Sequence, residues 1–85
     1  MRLKNKVAIL TAAAGAGIGK ATARTFAREG AHVVITDAHE ERSRQAAHEI
    51  SKEFAVKTIG IRCDVLILQD IREAVRATLD MFGRI

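Results

Sequence analysis

Short runs of consecutive or alternating apolar residues are separated along the chain by stretches in which apolar residues recur every three or four positions. Residues 7–10 and 33–35 form two of the runs, and Ile59, Ile61 and Cys63 form the third. Short apolar runs of this kind predict strands, and continuous ones predict strands buried on both faces of a sheet. We expect the first strand over residues 6–11 and the end of the second at Asp37.

The stretches between and after these runs have the spacing of amphipathic helices. Three stripes of apolar or small residues define them: Ile18, Ala21, Thr22, Thr25 and Phe26; Ala46, Ala47, Ile50 and Phe54; and Ile71, Ala74, Val75, Thr78, Leu79 and Phe82. Gly30 and Gly83 are expected to end the first and third helices, because glycine readily adopts the left-handed conformation that follows a helix. The resulting βαβαβα order predicts a parallel sheet with right-handed crossovers.

Length and composition restrict the function further. The 85 residues, 48% of them hydrophobic and 28% charged, allow one small globular domain. The net charge of +4 does not indicate nucleic-acid binding, because basic and acidic residues are interspersed and no aromatic residues accompany the basic ones. The single cysteine, Cys63, excludes an internal disulfide and a multi-cysteine zinc site and fits a reducing, cytoplasmic compartment.

No membrane or export signal is predicted. The basic start followed by an apolar run resembles a signal peptide, but the run is weak, is interrupted by Thr11 and leads directly into a helix. No stretch approaches the roughly 20 apolar residues that a membrane span requires. The three histidines lack the spacing of a metal-binding helix, so no metal site is expected.

The turn between the first strand and the first helix carries the candidate chemistry. It reads Thr-Ala-Ala-Ala-Gly-Ala-Gly-Ile-Gly-Lys over residues 11–20. Glycines let the backbone approach a pyrophosphate closely, and the start of a helix favours an anion. A tight turn or a helix cap also accounts for such a run, but the strand before it and the helix after it favour dinucleotide binding.

An acidic residue follows at the matching distance. Asp37 lies 22 residues after Gly15, close to the offset of about 20 at which a carboxylate accepts hydrogen bonds from an adenosine ribose. The alternative role for Asp37 is the N-cap of the second helix.

These motifs resemble the N-terminal part of the short-chain dehydrogenases/reductases, whose pattern is Lys-Val-Ala-Ile-Val-Thr-Gly-x-x-x-Gly-Ile-Gly, a second strand ending in Asp, and Asp-Val after the third strand. The corresponding residues here are 6–11, 17–19, 33–37 and 64–65, and the resemblance covers essentially the whole chain. It implies an α/β fold with a three-layer Rossmann-type parallel sheet. Residues 1–85 would form the N-terminal βαβαβα half of a doubly wound NAD(P)-binding domain, and the open edge of strand one would lack its usual neighbour.

The resemblance also implies a cofactor site. Gly15, Gly17, Ile18 and Gly19 would surround the pyrophosphate, Asp37 would bind the ribose, and Asp64 with the Val65 backbone would contact the adenine. A turn after the third strand is the alternative role for Asp64. The carboxylate of Asp37 would accept the 2′-hydroxyl of NAD and repel the 2′-phosphate of NADP. Because neither Ala16 nor Ala38 offers a cation to offset that repulsion, NAD is the expected cofactor.

Two departures from the family pattern stand out. The first glycine is replaced by alanine in a loop that is one residue longer, so Ala12 or Ala13 occupies its place. Alanine is unfavourable there if the backbone φ is positive. The second departure is the apolar run at residues 65–68, where the family has a polar helix cap, and Asp70 is expected to serve the helix start instead.

No catalytic residue is expected in this chain. The family's catalytic Tyr-x-x-x-Lys pair and serine have no counterpart, because the sequence contains no tyrosine and Ser43 and Ser51 are expected on the solvated side of the second helix. Two interpretations remain. The chain is either the dinucleotide-binding piece of an NAD-dependent oxidoreductase or a non-catalytic nucleotide-binding or interaction module. In the second interpretation it would associate with another chain, or with itself, through the open edge of strand one.

Overall fold

The computed structural model describes residues 1–15 and 17–85 and contains alternating strands and helices. Their bounds are β1 (Val7–Leu10), α1 (Ile18–Arg28), β2 (His32–Asp37), α2 (Glu40–Glu53), β3 (Thr58–Arg62) and α3 (Leu68–Phe82). The predicted βαβαβα order is therefore confirmed.

All strand pairings are parallel, and the sheet order is β1-β2-β3. Ile9 of β1 lies opposite Val34 of β2, and Ile35 of β2 lies opposite Gly60 of β3. Because β2 is central, β1 is an edge strand, and among the described residues nothing pairs with its outer side. This is the open edge that the strand order of a doubly wound fold predicts.

The helices lie on both faces of the sheet and give three layers. On one face, α1 and α2 contact each other and enclose the main core with alternate residues of β2. This core consists of Ala13, Ala14, Ala23, Ala27, Ala31, Val33, Ile35, Ala46, Ala47 and Ile50. On the other face, α3 packs against β1, and its Phe82 ring stacks on His32 with centroids 5.5 Å apart. Val34 and Thr36 are buried in β2 but alternate with the core residues of the first face.

The prediction that Ser43 is solvated is wrong, because this side chain is completely buried. It lies three residues before Ala46 and therefore belongs to the core-facing side of α2. Its hydroxyl donates to the carbonyl of His39 at 3.0 Å, which satisfies the buried oxygen. A Cβ on Gly60 would overlap the Ser43 backbone, so glycine is what allows α2 and β3 to approach this closely. Ser51 is exposed, as predicted.

Several element ends differ from the prediction by a few residues. β3 ends at Arg62, so Cys63 follows the strand, although it is still buried, and burial raises the pKa of its thiol. Phe54 is the C-cap of α2 and lies outside its last turn. The two glycine ends are confirmed: φ is +97° at Gly30 and +78° at Gly83.

Candidate dinucleotide-binding site

The carboxyl ends of the strands form one connected edge of the sheet. The Ala13 N–H donates to the Thr36 carbonyl at 3.1 Å, which fixes the β1–α1 loop against β2. The Cys63 N–H donates to the Asp37 carbonyl at 2.8 Å, which fixes the β3–α3 turn against the same strand. Open parallel sheets bind ligands in the crevice at this edge.

Gly15 and Gly17 face open space in the β1–α1 loop. A Cβ added at either position would meet no atom within 4 Å. At Gly17 the φ of 164° is extended and available to any residue. Neither the packing of the described residues nor the backbone conformation at Gly17 therefore requires glycine. An exposed backbone at a helix start is the arrangement that a pyrophosphate needs in order to approach closely.

The beginning of α1 is suited to an anion. Its N-cap is Gly17, no side chain caps the helix, and its first turn contains no acidic residue. Ile18, the first helical residue, is 87% exposed. The amides of this turn thus lack side-chain partners within residues 1–15 and 17–85, while the helix dipole favours negative charge there.

Gly19 has a different function, which is to let α1 pack against the loop that precedes it. A Cβ at Gly19 would lie 2.5 Å from the Ala12 carbonyl oxygen and 2.8 Å from the Ala13 Cα. Ala12 itself has a φ of +50°, whereas Ala13 does not have a positive φ. Of the two alternatives for the place of the family's first glycine, Ala12 is thus the one in a conformation unfavourable for alanine.

Asp37 lies between the glycine loop and the start of α2. Its Oδ2 accepts a hydrogen bond from the Ala14 N–H at 3.4 Å, and its Oδ1 accepts one from the His39 N–H at 3.1 Å. The N-cap of α2 is His39. The alternative role of Asp37 as N-cap is thus excluded, and its half-buried carboxylate remains accessible at the carboxyl edge of the sheet.

Asp64 does form the turn that was its alternative role. Its Oδ1 accepts the Leu66 N–H at 2.9 Å, and its carbonyl accepts the Ile67 N–H at 2.9 Å. In the part of the chain that the structure describes, no hydrogen bond engages Asp64 Oδ2, so the turn does not consume the whole carboxylate. Val65, the next residue, is exposed.

Asp70 does not cap α3 in the predicted way. The N-cap is Ile67, which has no side-chain hydrogen bond. Asp70 lies in the first turn of α3 and contacts the residues that precede the helix. Its Oδ2 accepts hydrogen bonds from the Asp64 N–H at 3.1 Å and from the Arg62 guanidinium at 2.6 Å. The Asp64 amide and then Arg62 lower the pKa of the Asp70 carboxyl below its ordinary value. Leu66 is 90% exposed, and nothing in the structure explains the apolar run around it.

Two cations near this edge were missed by the sequence prediction. Lys20 of α1 and Arg42 of α2 line a cleft of about 150 Å³ together with Ala14, Gln45, Ala46 and Glu49. In looking for a cation near the ribose, the sequence prediction considered only Ala16 and Ala38, which are close to the motifs in sequence. Ala38 is exposed, and Ala16 lies outside the described residues. Spacing alone does not indicate the cleft, because it requires the packing of α1 against α2.

The described residues contain no cluster of side chains that could hold a metal ion. None of the described helices combines the length and the apolar character needed to cross a membrane.

The parallel sheet with helices on both faces, and a glycine loop at its carboxyl edge, are those of a Rossmann-type NAD(P)-binding fold. The family model described as short chain dehydrogenase matches residues 6–85. The chain therefore belongs to the short-chain dehydrogenase/reductase family and corresponds to its N-terminal NAD(P)-binding portion.

Individual relatives agree with this assignment. The chain is 41% identical, over 98% of its length, to a (5R,7aS)-5-hydroxy-7a-methyl-1-oxo-2,3,5,6,7,7a-hexahydro-1H-indene-carboxyl-CoA reductase of Mycobacterium tuberculosis. A crystal structure of a short chain dehydrogenase from Mycobacterium smegmatis superimposes with a TM-score of 0.93 at 37% identity, covering 99% of this chain and 35% of that one. L-Sorbose reductase from Gluconobacter frateurii, complexed with NADPH and L-sorbose, gives a TM-score of 0.90 at 32% identity over 98% of this chain and 32% of that one. The chain spans 32% of the length of the Mycobacterium tuberculosis reductase.

Proposed function

We propose that this chain binds the adenosine and pyrophosphate portion of NAD, as the cofactor-binding part of an oxidoreductase that interconverts alcohols and carbonyls. The observation that carries the proposal is the position of the Asp37 carboxylate, hydrogen-bonded to the Ala14 N–H beside a glycine loop with open backbone. A carboxylate at the end of the second strand is the group that accepts ribose hydroxyls in this fold.

Each proposed contact uses a group that is accessible at the carboxyl edge. The backbone of Gly15, Gly17, Ile18 and Gly19 would bind the pyrophosphate. The carboxylate of Asp37 would bind the ribose hydroxyls, and Asp64 Oδ2 with the Val65 backbone would contact the adenine. The nicotinamide supplies the hydride chemistry when NAD is bound, and the described residues contribute binding and orientation.

NAD is the proposed cofactor because Asp37 carries a negative charge where NADP would place its 2′-phosphate. The L-sorbose reductase complexed with NADPH makes clear that the phosphorylated cofactor is used within the family. The preference proposed here therefore depends on the charge of Asp37 and does not follow from family membership.

Hydride transfer is not assigned to residues 1–85. With no tyrosine in the sequence, the catalytic pair of the family has no counterpart in this chain. We therefore expect NAD and ADP-ribose to bind with equal affinity, because only the adenosine and pyrophosphate groups find partners. That affinity should be weaker than about micromolar, since few groups offset the entropy lost on binding.

Isothermal titration calorimetry with NAD and ADP-ribose tests this proposal. Asp37→Asn should weaken both ligands by about tenfold, because hydrogen bonds to a charged carboxylate are lost. Asp80→Asn on α3 makes the same charge change away from the site and should leave both affinities unchanged. Sub-micromolar binding of NAD, or equal effects of the two substitutions, would contradict the proposal.

A second proposal concerns self-association, which is favoured by the open side of β1 and the apolar surface of α3. Ile71, Val75 and Leu79 are exposed along one side of α3, which itself packs against β1. A two-fold axis perpendicular to the sheet would pair β1 with β1 of a second copy and bring the two α3 helices together on the same face. One symmetry operation would thus bury both surfaces.

A further inference from the structure

A cavity of about 260 Å³ lies at the amino ends of the strands, on the edge of the sheet opposite to the proposed nucleotide site. Four parts of the chain line it: the segment before β1, the end of α1 with the turn after it, the first residue of β2, and the connection between α2 and β3. We call it the amino-edge cavity. It shares no lining residue with the proposed contacts of the nucleotide, so the two sites are separate.

The segment before β1 is held close to the end of α1 by backbone contacts. The Leu3 N–H donates to the Glu29 carbonyl at 2.8 Å. A Cβ on Gly30 would lie 3.0 Å from the Lys4 Cα, so glycine lets this segment approach the turn after α1. The position of Lys4 at the cavity is therefore fixed by the fold of the main chain.

Much of the cavity lining is apolar. Phe54 and Val56 line it, and both are half-buried against the main core. Ala27, which is buried, and Ala55 add further apolar atoms. Covering such a surface with an apolar ligand is favourable by about 25 cal/mol for each Å² removed from water. The volume is smaller than that of most pockets for drug-sized molecules, so it suits a ligand of about ten non-hydrogen atoms.

The charged residues of the lining are all cations. Lys4 and Arg28 line the cavity, and none of the described residues that line it is acidic. Within the part of the chain that the structure describes, neither cation forms an ion pair. The neighbouring carboxylates have other partners: Glu29 accepts a backbone N–H at 3.1 Å, and Glu53 accepts the Arg24 guanidinium at 2.7 Å. The cavity therefore favours a negatively charged ligand.

His32 adds a further hydrogen-bond donor. It lines the cavity, and its Nδ1 accepts the Lys57 N–H at 3.0 Å. A ring whose Nδ1 accepts a hydrogen bond carries its proton on Nε2. Among the described residues no hydrogen bond engages this second nitrogen. The Nε2–H group is thus available to an acceptor, which is the same requirement that the two cations impose on a ligand.

We propose that the amino-edge cavity binds a small carboxylate with an apolar body, of which an arylacetate is a simple form. The apolar body occupies the part of the cavity that Phe54 and Val56 line. The carboxylate accepts hydrogen bonds from Arg28, whose planar guanidinium matches its two oxygens, with Lys4 and His32 Nε2 as additional donors. This site is independent of the proposed nucleotide site, and the two ligands can be bound at the same time.

NMR titration of the isotope-labelled chain with phenylacetate tests this proposal. Binding should be saturable with a dissociation constant of about 1 mM, as expected for so small a ligand, and should shift the amide signals of Gly30, His32 and Val56. Phenethylamine keeps the ring but reverses the charge, and acetate keeps the carboxylate but lacks the ring, so each should bind at least tenfold more weakly. Saturating ADP-ribose should leave the phenylacetate affinity unchanged. Displacement by ADP-ribose, or equal binding of phenethylamine, would overturn the inference.

Substitutions at exposed positions locate the site without disturbing the core. Arg28→Gln should weaken phenylacetate by about fivefold, whereas Arg72→Gln, the same change on α3 outside the cavity, should have no effect. Ala55→Asp should abolish binding because it adds a negative charge to the lining, and Ser51→Asp on α2 is its control. Equal effects within either pair would show only a response to net charge and would overturn the inference, as would the absence of saturable binding to the wild-type chain.

Discussion

At the scale of single residues, the unusual backbone conformation and the close packing of the glycine loop occur at different residues. Gly17 has an extended backbone and open surroundings, Gly19 touches the loop backbone, and Ala12 carries the positive φ. The motif predicted the position of the loop, but it could not show that Gly17, Gly19 and Ala12 have these three different structural roles. The family pattern left Ala12 and Ala13 as alternatives, because φ depends on how α1 packs against the loop.

The strain at Ala12 predicts a stabilising substitution. Ala12→Gly should raise the free energy of unfolding by about 0.5–1 kcal/mol, because glycine adopts a positive φ without the steric penalty of a Cβ. Urea denaturation of the two proteins measures the difference. Ala13→Gly is the matched control, since Ala13 is buried without a positive φ and glycine there should destabilise the chain. Loss of stability in both variants would contradict the strain at Ala12.

At the scale of elements, the regular strands and helices follow from hydrophobic periodicity, and their ends follow from contacts that the pattern does not contain. The third stripe begins at Ile71, whereas α3 begins at Leu68. The difference arises because Asp70 ties the first turn to the Asp64 amide and to Arg62. Ser43 illustrates the same limit: its polarity suggested solvent, but the close approach of Gly60 buries it.

The Asp70 contacts predict a pH-dependent contribution to stability. The folded-state pKa of Asp70 is lowered, so its contribution is fully present above the ordinary value of 3.8 and is lost as the pH falls through the folded-state pKa. Asp70→Asn should therefore lower the urea midpoint at neutral pH, and this effect should shrink as the pH falls below the ordinary pKa of the carboxyl. Asp80→Asn should show no such difference. An Asp70→Asn effect that persists in acid would exclude the charge of Asp70 as its cause.

At the scale of the whole molecule, the fold class and strand order were predictable, because alternating periodicity and right-handed crossovers leave few arrangements. The cleft holding Lys20 and Arg42 was not predictable, since it exists only where α1 and α2 pack together. The candidate site can thus be predicted from sequence as far as each motif is local, whereas the parts contributed by distant elements are visible only in the folded chain.

Self-association is a prediction at this scale. Sedimentation velocity over a concentration series should show a monomer–dimer equilibrium, because the outer side of β1 presents backbone groups that a second copy can pair. Val75→Glu should shift the equilibrium to monomer by placing charge on the exposed apolar side of α3. Ser51→Glu on the exposed surface of α2 is the control and should not. A wild-type chain that stays monomeric at high concentration would contradict the prediction.

The central position of β2 connects the site to the stability of the entire chain. This strand is paired along both sides, is covered by helices on both faces, and ends at Asp37. A nucleotide held at Asp37 would therefore bind only when this central strand is folded. By mass action such a ligand stabilises the folded chain by about 2.7 kcal/mol at a hundredfold excess over its dissociation constant. The folded fraction of this chain in a cell would then depend on the local concentration of nicotinamide dinucleotide.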